Sequence, residues 1–152
     1  MRLTELFVPE TVVTDLPATD RDAALTAIVA DLDAKGFLAD AQTALHDVIA
    51  REQVMTTGVG HGVAIPHAYT AGVDRLVAGF YRTRPGVDFG ATDGLVVDLI
   101  FVVLGPRERR REHIRILARI SRLLGNADFR DELRRAAAAG DVLNVFRRFG
   151  DR

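Results

Sequence analysis

The sequence predicts a single α/β domain: a mixed, mostly parallel β-sheet flanked by helices on both faces. Three observations predict it. Helical apolar spacing governs the first and last parts of the chain, and short β-rich runs separated by glycine-containing turns fill the centre. No repeat, low-complexity tract or Pro/Gly/Ser-rich linker divides the 152 residues, so one domain over 1–152 is expected. With 48% hydrophobic and 27% charged residues the chain can bury a core of its own, which excludes intrinsic disorder.

The elements follow in order. Thr11-Val12-Val13 is a short strand candidate, ended by the turn at Pro17. Thr19-Asp20-Arg21-Asp22 has the form of an N-cap with an acidic first turn. Ala24, Leu25, Ile28, Val29 and Leu32 then give a helical apolar stripe that Gly36 stops. A second helix runs from about Asp40 to Glu52 and buries Leu45, Val48 and Ile49. Gly62–Ile65, Leu76–Tyr81 and Val96–Leu104 are the central strands, the last closed by Gly105-Pro106. From Arg109 the helical period returns, with Ile116 or Leu117, Ile120 and Leu124 on one face. Asp128–Ala138 and Asp141–Phe149 form two more helices. Strand order is not readable from these patterns.

Composition narrows the function. A net charge of −1 gives no global attraction to nucleic acid or to an anionic membrane. Lys35 is the only lysine, and the arginine bias suits either phosphate contacts or a GC-rich coding sequence. The absence of cysteine excludes disulfides, thiolate metal sites and cysteine nucleophiles. The start, Met1-Arg2-Leu3-Thr4-Glu5-Leu6, lacks the apolar run of a signal peptide, and no segment reaches the roughly 18 apolar residues of a membrane span. A cytoplasmic protein without membrane insertion is expected.

Among four histidines, His46 lies mid-helix beside charged residues as an ordinary surface group. His67 follows Ile65-Pro66 just beyond a predicted buried strand, at the start of a loop. Ligands of open α/β sheets gather at that end of a strand. Pro66 restrains both itself and Ile65, which aims the histidine. A neutral imidazole can attack phosphorus without first losing a proton, provided its other nitrogen is held by a hydrogen bond. By position alone His67 could equally be an unremarkable loop residue. His113 falls on the apolar side of its helix near the amino end, at the sheet edge where His67 is expected. Two histidines there suit phosphoryl transfer, half of a metal site, or a buried histidine with its hydrogen bonds satisfied.

The stretch before His67 adds Gly58, Gly60 and Gly62, whose backbone N–H groups could face an anion. Thr56 and Thr57 add hydroxyl donors and Arg51 a charged donor. It is neither a P-loop nor a dinucleotide fingerprint, since no Gly-Lys-Ser/Thr follows and no helix begins there.

Arg51-Glu52 followed by Thr56-Thr57-Gly58-Val59-Gly60-x-Gly62-Val63-Ala64-Ile65-Pro66-His67 closely resembles the active-site signature of the type-2 enzyme IIA family of the sugar phosphotransferase system. That family includes fructose and mannitol IIA domains and nitrogen-regulatory IIA proteins. The resemblance continues through Gly86-Val87-Asp88-Phe89, Asp93-Gly94, Val97–Pro106 and Glu112-His113-Ile114 to Leu124, essentially the whole chain. It implies that His67 accepts a phosphoryl group from the phosphocarrier HPr or its nitrogen-system relative, and that His113 and Arg51 stabilise it. Thr56, Thr57, Gly58 and Gly60 would form the phosphoryl-site loop, and no metal or organic cofactor is implied. Met55-Thr56 and Gly105-Pro106 depart from the commoner Gly-Ser and Ala-Pro.

The resemblance leaves two roles open. A nitrogen-regulatory IIA signals by binding a regulated target protein. A fructose- or mannitol-type IIA passes its phosphoryl group to a IIB, here a separate protein because this chain has no cysteine. A freestanding chain favours the regulatory role. An interaction module that no longer carries phosphate, and a metal site on His61, His67 and His113, are rivals from other classes; the intact Arg51, His67 and His113 set speaks against the first, and a strand separating His61 from His67 against the second. Arg107, Arg109, Arg110 and Arg111 crowd a helix start where the dipole favours anions. They are either a solvated, slightly unfavourable helix end or a docking surface for an acidic or phosphorylated partner.

Overall fold

A computed structural model describes residues 2–150; Met1, where the amino-terminal reading above begins, and Asp151 and Arg152 lie outside the described residues. The chain runs through α1 (Leu3–Leu6), β1 (Val12–Leu16), α2 (Arg21–Ala34) and α3 (Ala41–Val54) into β2 (Gly58–Gly60), β3 (Val63–Ala64) and β4 (His67–Tyr69). It continues with β5 (Val77–Val87), β6 (Val97–Gly105), α4 (Arg110–Leu124), α5 (Ala127–Arg135) and α6 (Ala139–Gly150). The expected cap is in place, with Asp20 accepting from the Ala23 N–H to start α2; Asp40, where the second helix was expected to begin, caps α3 by accepting from the Thr43 N–H.

One mixed sheet is ordered β1-β5-β6-β3-β2, with β4 also on β6. Pairing is parallel for β1 with β5 and for both β3 and β4 with β6, and antiparallel for β5 with β6 and β2 with β3. Strand alternation sends successive side chains to opposite faces. Leu99, Phe101 and Val103 of β6 join Ile116, Ile120, Phe129, Leu133 and Phe146 beneath α4, α5 and α6. Ile100, Val102 and Leu104 join Leu25, Ile28, Leu32 and Val48 beneath α2 and α3. Each fully buried side chain of this size contributes about 1.5–3 kcal/mol, so both faces are held by packing. Two expectations shift in detail: Leu45 and Ile49 are only partly buried, while Ala44 and Val48 form the inner face of α3.

A larger correction concerns β3 and β4. The sequence places His67 at the start of a loop, but it opens strand β4. Val63 and Ala64 pair with Leu99 and Ile100; His67, Ala68 and Tyr69 pair with Val103, Leu104 and Gly105. These are two pieces of one strand along the same edge of β6, interrupted at Ile65-Pro66. Pro66 has no N–H to donate, yet its carbonyl accepts from the Val103 N–H at 3.0 Å, so pairing resumes directly after it. Alternation then carries His67 and Tyr69 onto the face covered by α4.

Candidate functional site

His67 is half-buried at the head of β4, and its Nδ1 lies 2.7 Å from the Ile65 carbonyl oxygen. A carbonyl only accepts, so Nδ1 carries the proton and Nε2 keeps a bare lone pair. Burial pushes the imidazole below its ordinary pKa, and the Arg51 cation pushes the same way. The bond to the Ile65 carbonyl and the Glu52 carboxylate oppose them. The ring is neutral at neutral pH, and its reactive nitrogen is unprotonated.

His113 is the fourth residue of α4 and faces the sheet, 1% exposed. Its ring centroid lies 6.0 Å from that of His67 and 4.6 Å from that of Tyr69. Burial, with His67 adding to it, pushes its pKa down to about 4. Neither ring nitrogen has a hydrogen-bond partner among the described residues. Of the three possibilities for a histidine here, the one with its hydrogen bonds satisfied does not hold. Gly105 makes room for the ring: a Cβ there would stand 3.0 Å from His113 Nδ1 and 2.7 Å from Leu76 Cδ2.

Arg51 sits in the last turn of α3, half-buried, with Nη1 donating to the Met55 carbonyl at 3.0 Å. That bond tethers the guanidinium near His67 and leaves its other N–H groups to bind an anion.

Several donors of the expected phosphoryl-site loop are engaged within the protein. The Thr56 hydroxyl donates to the Phe89 carbonyl, and the Thr57 hydroxyl to Glu52. A hydroxyl has one proton to give, and both are given within the protein here. The Thr57 N–H goes to Glu52, the Gly58 N–H to the Thr56 hydroxyl oxygen and the His61 N–H to Asp93. Gly60, His61 and Gly62 turn with φ of +96°, +58° and +77°, a left-handed run that fits the two glycines. Thr56 thus ties the loop to Phe89, His61 ties it to Asp93, and Thr57 ties it to Glu52 of α3.

His61 lies in that turn and His46 is exposed on α3; among the described residues no group of three or more His, Cys, Asp or Glu side chains could hold a metal ion. Arg107, Arg109, Arg110 and Arg111 are exposed at the start of α4, with Arg109 paired to Glu112 at 3.0 Å. Sequence reasoning gave no role to Glu52 and Tyr69. The burial of Glu52 depends on a loop folding back over α3, and Tyr69 became visible only once β4 was known to be a strand.

The family model for the EIIA 2 component of the phosphoenolpyruvate-dependent sugar phosphotransferase system matches residues 5–148. The chain belongs to this EIIA type-2 family. Among similar proteins, the nitrogen regulatory protein of Pseudomonas aeruginosa is 36% identical over 146 residues, 95% of this chain and 94% of that one. A fructose-specific EIIA component of Haloferax volcanii is 36% identical over 129 residues, covering 85% and 83%. The crystal structure of nitrogen regulatory protein IIA-Ntr from Neisseria meningitidis superposes with a TM-score of 0.87 at 29% identity, covering 95% of this chain and 98% of that one. The fold and family expected from the sequence are those found. Among the described residues of this EIIA domain, no helix is long and apolar enough to cross a membrane.

Proposed function

We propose that this EIIA protein accepts a phosphoryl group on Nε2 of His67 from phospho-HPr or the nitrogen-system counterpart, and acts as a nitrogen-regulatory type of IIA that signals through protein binding. One observation carries the proposal: Nδ1 of His67 is committed to the Ile65 carbonyl, while the buried His113 beside it has ring nitrogens unpaired among the described residues. In the step, the N–P bond of the donor phosphohistidine breaks and its electron pair returns to the donor nitrogen. The Nε2 lone pair of His67 forms the new N–P bond. The positive charge that develops on the ring is stabilised by the Ile65 carbonyl at Nδ1–H. The neutral His113 has one N–H to give a phosphoryl oxygen, and Arg51 supplies a cation.

The test uses phosphoenolpyruvate, enzyme I and HPr or its nitrogen-system relative, with intact mass read for one acid-labile phosphoryl group. Labelling should vanish in His67→Ala and slow in His113→Ala. Wild-type protein that neither carrier labels would refute the proposal. The regulatory role is supported by the Pseudomonas and Neisseria relatives. The Haloferax fructose-specific relative supports a second reading, a sugar IIA passing phosphate to a separate IIB. Loss of the label to an added fructose- or mannitol-type IIB would select that one.

A further inference from the structure

We propose that Glu52 is a positioning residue for phosphoryl transfer, acting through Thr57 to hold the carbonyl that fixes the His67 tautomer; this rests on the phosphocarrier reading above. Arg51 and Glu52 are consecutive at the end of α3 and point about 100° apart around it. Arg51 reaches outward to the Met55 carbonyl, whereas Glu52 turns inward and is 2% exposed. Burying a carboxylate costs free energy unless its oxygens are matched. Both are matched by one residue: Oε2 accepts the Thr57 N–H at 2.5 Å and Oε1 the Thr57 hydroxyl at 2.6 Å.

Thr57 passes the constraint on. Its carbonyl accepts the Ile65 N–H at 3.1 Å, and the Ile65 carbonyl accepts His67 Nδ1–H at 2.7 Å. Ile65 is thereby held from one side by Thr57 and from the other by Pro66, which confines the preceding residue to extended backbone. The carbonyl that decides which nitrogen of His67 is bare is thus clamped, and Glu52 anchors the clamp. The same carboxylate acts on the ring through space, opposing the pull of Arg51 on the His67 proton affinity. An apolar side chain at 52 would fill the space without holding Thr57.

The experiment reads the His67 tautomer by 15N NMR on the unphosphorylated protein, alongside its titration and the rate of transfer from the phosphorylated carrier. Glu52→Gln keeps an acceptor for the Thr57 N–H. It should retain the Nδ1–H tautomer and titrate His67 at a lower pH than wild type. Glu52→Met keeps volume but accepts nothing. It should populate the second tautomer and slow the maximal rate about tenfold, with the KM for the carrier unchanged and Glu52→Gln restoring most of the rate. A folded Glu52→Met protein with the wild-type tautomer and rate overturns the proposal. Should Glu52→Met not fold, Thr57→Val, which removes one of the two bonds, decides: a rise in the second tautomer supports the proposal, and wild-type populations overturn it. The tautomer measurement needs no phosphoryl donor. Wild-type protein that is never labelled would therefore refute the phosphocarrier reading while this result still judged Glu52.

Discussion

Arg82 and His113 are both buried polar groups on the same face of the sheet, and they are treated in opposite ways. Arg82, 4% exposed on β5, donates to the carbonyls of Thr14, Leu133 and Ala136 at 2.7–3.0 Å and to that of Arg134 at 3.3 Å. It closes the carboxyl end of α5 and binds it to β1. His113, 1% exposed on α4, has no partner on either nitrogen among the described residues. A fold can match the Nε and Nη1 donors of a buried guanidinium, so the imidazole left unmatched among the described residues is a local exception, placed where a second histidine offers a lone pair. Satisfied buried groups hold the structure together; the unsatisfied one is available to a ligand.

The largest expected effect separates the two. Arg82→Met takes a donor from four carbonyls, of which that of Arg134 keeps another, from Arg84, and should cost about 4 kcal/mol of stability, measured by urea unfolding, while the folded fraction still accepts phosphate on His67. Acid should reach His113 next. Its pKa is about 4 in the folded protein against an ordinary 6.5. Above pH 6.5 both states are neutral and the group has no effect. Below that the unfolded chain binds a proton that the folded one refuses, so stability falls as pH drops and the loss is complete below about 4. It amounts to about 3 kcal/mol, and His67, shifted the same way, adds to it. Unfolding at pH 7 and pH 4 should show a smaller difference in His113→Leu than in wild type.

The same variant sharpens the contrast at neutral pH. Without its N–H, phosphotransfer to His67 should slow about a hundredfold. Stability should rise by about 1 kcal/mol, because an unpaired buried polar group has been removed. A His113→Leu protein less stable than wild type at pH 7 would mean that the histidine serves packing. The smallest effect is expected for Gly105→Ala. The new methyl must displace the Leu76 tip and press on His113, costing about 1 kcal/mol and slowing transfer several-fold, read in the same two assays.

Much of this contrast was legible beforehand, though unevenly. The apolar spacing of Ile116, Ile120 and Leu124 carries His113 inward, and the short connection from β6 brings it to His67. Both are local consequences of period and chain direction. Arg82 was not legible, because a cation next to an apolar strand run reveals nothing of the four carbonyls that await it from distant segments. Those carbonyls also explain why α5 stops at Arg135 when Ala136–Ala138 would prolong it by propensity: Arg82 offers the helix end a better partner than another turn. The bonding within the loop was hidden for a related reason. Thr56, Thr57 and the glycines have the composition of an anion cradle, yet the Thr56 hydroxyl is taken by Phe89, both Thr57 donors by Glu52 and the Gly58 N–H by Thr56, pairings set by how the loop folds back and not by its order of residues.

The strand that resumes after Pro66 has a consequence for how a loaded molecule would be recognised. His67 is stitched to Val103 in the sheet, so attaching a phosphoryl group gives the backbone beneath it little room to rearrange. What changes is the field: a neutral ring gains about two negative charges at a fixed point. A partner telling loaded from unloaded protein has to respond to charge at that spot, as a lock might sense the magnet on a key whose teeth never alter.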